Sequence, residues 1–389
     1  MKERGKQFFR VRGLVYVIFV ICTSYAYSVG GIEILTNTTN SSAANPAQQS
    51  AVSAEAVFYN PAGSAFLEDG HHFHYGAYVV GTDYETRVGG LKLDTDDPQV
   101  LPSFSYIYKR DRAAYYLGFG NIGQGGLLEY DISTPTVEDF DATLIHPGGI
   151  FGVSYMVRED ISMSIGGRWV YSRIEAEGKT KNGREFESRV DAWGIAPEIG
   201  IHARVTEKWD VAAKYLGETS LSYDGSLKKG EEGVVDILFG RYSRDHRKNF
   251  PAILSLGTSY ELNEYQGVYF GYDWIFESDK DVDKDLYGEY DDTYEYSVSF
   301  EQYVNEKFDL ILGYAYTDKG DNNEGIMEIT ELDAHQVGTG LRYKYSPNTE
   351  INFGVGIIFY KKGEAQVAGQ EVISRRRETL FGVGVNTKL

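Results

Sequence analysis

The sequence predicts an all-β protein: a 14-stranded antiparallel transmembrane β-barrel with an N-terminal segment lodged inside it as a hatch. Three observations predict this. The chain opens on an export signal, it alternates apolar and polar residues for more than three hundred residues, and its alternating segments are joined by connections that are short and long in turn. The organisation that follows is a signal peptide over 1–26, a hatch over 27–70 and a barrel over 71–389.

The export signal comes first. Lys2, Arg4, Lys6, Arg10 and Arg12 precede an apolar run over 14–22, which is too short to span a bilayer as a helix. Ser24 and Ala26 set small residues at the −3 and −1 positions of a cleavage site, and Ala26 with Ser28 offers an alternative. Loss of 1–26 removes five basic residues and one acid, so the formal net charge moves from −19 to −23. A chain this acidic is not a nucleic-acid binder. The one cysteine, Cys22, lies inside the signal, and Ile21 is not the small residue that precedes a lipidated cysteine. The exported chain therefore has no thiol for a disulfide, a cysteine metal site or a cysteine nucleophile.

The hatch centres on 55–67, EAVFYNPAGSAFL, which has neither strand alternation nor a clean helical stripe. Asn60, Pro61, Ala62 and Gly63 form a turn signal, because Asn bonds its own backbone and Pro fixes φ. A second Asn-Pro-Ala triplet stands at 45–47.

From residue 71 onward the period is two. Val268, Phe270, Tyr272, Trp274 and Phe276 oppose Tyr269, Gly271, Asp273 and Ile275. Tyr294, Tyr296, Val298 and Phe300 oppose Glu295, Ser297, Ser299 and Glu301. The same reading gives fourteen strands, near 71–86, 102–110, 113–122, 149–157, 160–178, 186–205, 209–223, 249–262, 266–277, 292–304, 307–317, 333–345, 349–361 and 376–389. Each supplies the ~9–11 residues a tilted spanning strand needs. Tight turns at Asp111-Arg112, Arg158-Glu159, 206–208, 263–265, Asn305-Glu306 and 346–348 alternate with longer connections, of which only 179–185 is short. Short periplasmic turns and long external loops are the signature of an outer-membrane barrel. Tyr (31 residues) suits its lipid–water boundary and Gly (44 residues) its bending, close-packed sheet.

At Asn60-Pro61-Ala62, soon after an export signal, the sequence resembles the FadL/TodX family of outer-membrane hydrocarbon and long-chain fatty-acid transporters. Leu101-Pro102-Ser103-Phe104, Phe250-Pro251-Ala252, Tyr272-Asp273-Trp274 and the strand over 332–345, with Asp333 and His335, add to the likeness. The resemblance implies passive transport of a hydrophobic compound through a hatch-plugged barrel. It also implies a lateral gap at a kink in the third strand. The stretch here is 118–126, whose glycines Gly118, Gly120, Gly123, Gly125 and Gly126 also weaken a strand on physical grounds. The expected setting is a monomer in a Gram-negative outer membrane, needing no cofactor and no metal.

An apolar ligand with a carboxylate head needs a greasy groove and a cation. The loop over 224–248 offers both: Val234, Ile237, Leu238 and Phe239, then Arg241, Arg244, Arg247 and Lys248. The same bases would also suit lipopolysaccharide phosphates, as would Arg375, Arg376 and Arg377 with Lys361 and Lys362 at the external rim. His71, His72 and His74 lack a carboxylate to complete a metal site. Asp281, Asp283 and Asp285 lack the glycine and final Glu of a calcium loop. No serine elbow, Walker loop or dinucleotide fingerprint is present. A surface receptor that keeps the barrel as scaffold and a lipid-modifying barrel enzyme are the alternatives the residues leave open.

Overall fold

The structure is a computed structural model that describes residues 39–88, 91–95, 98–122, 126–130, 137–180, 183, 185–229, 245–283, 289–320, 332–367 and 370–389. The signal peptide lies outside them. Fourteen strands form the wall: β1 (Gly70–Val88), β2 (Pro98–Arg110), β3 (Ala113–Asn121), β4 (Pro147–Arg158), β5 (Ile161–Thr180), β6 (Glu185–Thr206), β7 (Trp209–Leu216), β8 (Ile253–Asn263), β9 (Gln266–Ile275), β10 (Thr293–Asn305), β11 (Phe308–Asp318), β12 (Ala334–Ser346), β13 (Thr349–Tyr360) and β14 (Gln370–Lys388). Each pairs antiparallel with the next, and β14 closes on β1 in register from His72↔Lys388 to Val88↔Val372. Closure leaves no sheet edge for lipid to solvate, which is what a membrane demands of a sheet.

The burial pattern is the reverse of a soluble protein's. Ile165, Ile195, Ile199, Phe270, Val298, Leu312, Val337, Phe353, Val355 and Phe381 are exposed, while Ser162, Ser164, Glu198, Asp273, Glu295, Ser297, Ser299 and Glu301 are buried. The alternation read from the sequence therefore points its polar face inward and its apolar face to lipid. Strands β5 and β6 run far past the length a bilayer requires. Their outer ends pair with loop strands Val137–Ile145 and Ser222–Lys229, and β14 pairs with Gly363–Val367. Where the sequence implied one strand over 209–223, β7 stops at Leu216. Gly217 packs on the Pro197 ring and donates to the Pro197 carbonyl (2.8 Å), and the chain resumes at Ser222.

The segment before β1 is buried inside the wall. It carries a 3-10 turn (Asn40–Ala43), the single helical turn α1 (Ala56–Tyr59) and a second 3-10 turn (Pro61–Phe66). Inward-facing glycines of the wall make the space for it. A Cβ at Gly338 would stand 1.9 Å from the Ala43 carbonyl oxygen, and one at Gly313 would stand 2.2 Å from that of Ala44.

Candidate functional site

The Asn-Pro-Ala turn is a docking device. Asn60 Oδ1 accepts from its own Ala62 N–H (3.2 Å), which starts the 3-10 turn. Its Nδ2 donates to the carbonyls of Ile201 on β6 (3.0 Å) and Ala213 on β7 (3.4 Å), a cross-strand pair. Gly200 beside that pair admits the side chain, since a Cβ there would lie 2.5 Å from Asn60 Oδ1. Ser154 on β4 donates to the Pro61 carbonyl and Ser162 on β5 to that of Ala62, both at 2.6 Å. Lys214 on β7 donates to the Phe58 carbonyl at 3.0 Å, where α1 leaves its last carbonyls unpaired. The first triplet repeats the local turn: Ala47 N–H donates to Asn45 Oδ1, again at 3.2 Å. It sits on the opposite wall, with Pro46 beside Gly313 of β11.

Glu55 closes a third docking point. It accepts from Thr39 and Ser41 within the segment, and from Asn386 of β14 and Asn352 of β13, with His74 of β1 3.7 Å away. Burial opposes its ionisation, but His74 and these hydrogen bonds outweigh burial and hold its pKa below the ordinary carboxylate value.

The wall is not equally sewn. The β2–β3 ladder runs from Arg110↔Ala113 only to Phe104↔Phe119, although β2 continues to Pro98 against β1 and β3 continues to Asn121 against β4. The lapse has a cause in the sequence. Asp111, at φ 53°, and Arg112 form a two-residue hairpin turn, whose closing pair is hydrogen-bonded. By alternation, residues 108, 106, 104, 102, 100 and 98 of β2 turn their backbone groups toward β3. Residues 102 and 98 are proline and have no N–H to offer. Gly120 and Asn121 thus stand where the next rungs would form, among the described residues, without a β2 partner.

Behind this lapse lies an apolar interior wall. Ile122, Ile150, Val170, Leu216, Leu221, Phe250, Ile253 and Ile275 are all buried, and Ala196, Leu216, Ile253 and Ile275 pack as one cluster. One full charge is set into it. Arg168 of β5 is 1% exposed, donates to Thr219 Oγ1 (2.7 and 3.2 Å) and faces the Phe250 ring at 5.8 Å. Among the described residues no carboxylate is in ion-pair contact with it, though the buried Glu198 of β6, 3.8 Å from Lys214, acts on it through space. The other face of this corner is His146, whose ring meets Phe250 edge-on at 4.9 Å. Burial, with Lys248 adding to it, pulls the imidazole pKa down to about 3, so the ring is neutral.

The family of outer membrane protein transport proteins described as OMPP1/FadL/TodX matches residues 20–383. The chain belongs to the FadL/TodX family. It is an outer-membrane channel for hydrophobic compounds and not an enzyme. A Pseudomonas aeruginosa FadL homologue of known crystal structure is similar to it, with a TM-score of 0.70 at 15% identity over 91% of this chain and 99% of that one. The P. putida toluene transporter TodX is similar at a TM-score of 0.68 and 18% identity, over 92% and 99%. The CymD monoaromatic hydrocarbon channel gives 0.60 and 16%, over 90% and 99%. At such identities these likenesses carry the fold alone. No curated protein matches the chain.

Against this FadL/TodX barrel the residues picked from the sequence fall as follows. Asn60, Pro61 and Ala62 all dock on the wall. Gly120 stands at the ladder lapse, but Gly118 serves the hatch, since a Cβ there would come within 2.9 Å of Val57 and 3.1 Å of Phe58. Gly126 opens the loop strand Gly126–Tyr130. Gly123, Gly125, Val234, Ile237, Leu238, Phe239, Arg241 and Arg244 lie outside the described residues. Arg247 is exposed and ion-paired with Asp281, while Lys248 is buried. The histidines have protein partners: His72 bonds the Glu68 carbonyl, and His74 bonds Asn386 and Ser103. Of the rim bases, Arg376 is turned onto the Tyr84 and Tyr360 rings and Glu378. Sequence reasoning missed Arg168. Its one signal was a full positive charge at mid-strand on an otherwise small, polar inward face.

Proposed function

We propose that this chain carries long-chain fatty acids, or kindred amphiphiles with an anionic head, across the outer membrane by passive diffusion. The ligand docks first on the external loop bearing Val234, Ile237, Leu238 and Phe239, with Arg241, Arg244, Arg247 and Lys248 at hand. It then enters the lumen above the hatch, and a shift of the hatch frees its path to a lateral exit between β2 and β3. The observation that carries the anionic head is Arg168. A buried charge without a contacting ion-pair partner costs about 3–5 kcal/mol, and the Thr219 hydroxyl, with the more distant Glu198 that Lys214 also draws on, meets only part of that need. A carboxylate whose chain lies on Leu216, Ile253 and Ile275 supplies the rest. Barrel bases Arg375 and Arg377, with Lys361 and Lys362, then meet lipopolysaccharide phosphates at the outer rim.

A second reading follows from the relatives. TodX and CymD are described as carrying toluene and monoaromatic hydrocarbons, which need no cation. Uptake of labelled palmitate and labelled toluene by cells with and without this protein separates the two. Palmitate uptake that depends on the protein, and that falls about tenfold or more in Arg168→Gln with toluene unchanged, supports the acid reading. Protein-dependent toluene uptake alone overturns it.

A further inference from the structure

The corner that Phe250 shares with His146 lies at the ladder lapse itself. Ile122 N–H donates to the His146 carbonyl (2.9 Å), and His146 N–H donates to Asn121 Oδ1 (3.3 Å). These are the two residues by which β3 leaves β2. His146 also has the inward parity of β4, because Gly148, Ile150 and Ser154 face the lumen, Ser154 donating to the hatch. Gly148 lets the β4 backbone close on this corner: a Cβ there would stand 2.4 Å from the Trp169 carbonyl oxygen and 2.8 Å from the Ile122 side chain. The imidazole is 3% exposed, yet among the described residues its Nδ1 has no hydrogen-bond partner. Such an orphan is rare in a buried ring and marks a place where something else bonds.

We propose that His146 is the specificity-determining residue of the lateral route, giving a hydrogen bond to the polar end of an amphiphile as it passes from Arg168 around Phe250 into the lipid. The inference rests on the lateral-exit reading and names the ligand class that the exit favours: acids and alcohols over plain hydrocarbons. Two observations support it apart from the orphan nitrogen. The ring is neutral, so it can donate at one nitrogen and accept at the other, which suits both an acid and an alcohol. Among the described residues, the charge acting on the His146 ring is the cationic Lys248, and Arg168 shares the Phe250 ring with it, so a head group moving from Arg168 to His146 stays among cations; the buried Glu198 acts on Arg168 and is not among the charges acting on His146. His202 also lacks hydrogen bonds on its ring nitrogens among the described residues, but its Nε2 lies 3.7 Å from Asp210 and its ring packs on Phe66 of the hatch.

The test uses the full-length protein in cells, with initial uptake of hexadecanoic acid, hexadecan-1-ol and hexadecane measured side by side. His146→Phe should lower uptake of the acid and the alcohol about tenfold and leave hexadecane within twofold of wild type. His146→Gln, which keeps a donor and an acceptor, should restore most of the loss. Heat-modifiable migration on gels checks that each barrel has assembled. Should His146→Phe fail to assemble, His146→Leu is read in the same way. An equal fall for all three compounds, or no fall for any, overturns the proposal. A wild-type protein that carries none of them overturns the transport reading and the proposal together, whereas selective loss in Arg168→Gln without loss in His146→Phe overturns this proposal alone.

Discussion

Replacing Asn60 with Ala removes three hydrogen bonds and no apolar contact of consequence. One of the three shapes the turn, and two reach the Ile201 and Ala213 carbonyls on the wall. A net hydrogen bond contributes about 0.5–1.5 kcal/mol. The 3.4 Å bond to Ala213 belongs at the weak end of that range, so about 2 kcal/mol of docking should be lost in all. That is roughly a 30-fold rise in the population with this part of the hatch undocked. Asn45→Ala is the internal control. Its side chain makes the same turn bond to Ala47 but none to the wall, so it should lose about 1 kcal/mol, or roughly fivefold. Amide hydrogen exchange reads each number at its own turn, over 56–67 for Asn60→Ala and over 45–51 for Asn45→Ala, since local opening sets the rate. The barrel amides should be unchanged in both variants, and uptake should fall in Asn60→Ala. A rise over 56–67 in Asn60→Ala no larger than the rise over 45–51 in Asn45→Ala would refute the claim that Asn60 anchors the hatch to β6 and β7.

Two further outcomes follow from the same geometry. Gly118→Leu should leave the barrel assembled but expose the hatch to protease, because a Cβ at 2.9 Å from Val57 forces a displacement worth about 1–3 kcal/mol; a protease-resistant hatch would contradict this. At the outer end, burial opposes the ionisation of Glu277, but Lys280 and Lys319 hold its pKa at about 2 against an ordinary 4.5. A carboxylate depressed in the folded state stabilises fully above its ordinary pKa and loses that contribution as pH falls through the folded value. Thermal stability should therefore decline from pH 4.5 toward 2, and Glu277→Gln should flatten that decline; parallel curves would argue against it.

The wall was legible because a barrel writes its two faces in period two. Glu295, Ser297, Ser299 and Glu301 could be assigned to one face before any coordinate, and all four are buried together. The outer loops were less legible. Strand Ser222–Lys229 looked like the continuation of β7, because only the contact of Gly217 with Pro197 breaks it, and that contact joins residues of different strands. The glycines were misread in part for the same reason. Gly118 and Gly120 look alike in sequence, yet one makes room for Phe58 and the other stands at an unsewn rung. Pro102 was noticed as part of a family motif. Its physical meaning, an absent N–H on the side facing β3, needed the hairpin register that fixes which way residue 102 turns. Arg168 was hidden because a missing ion-pair contact is a property of its surroundings and not of its own strand.

The lateral exit can be tested with a covalent staple, since the only native cysteine, Cys22, lies ahead of the described residues, in the expected signal peptide. Ser103 and Gly120 occupy the first rung beyond Phe104↔Phe119 and share the inward face. In the Ser103→Cys, Gly120→Cys double variant, oxidation should sew β2 to β3 and abolish protein-dependent palmitate uptake, and reduction should restore it. Undiminished uptake by the fully oxidised protein would contradict the account.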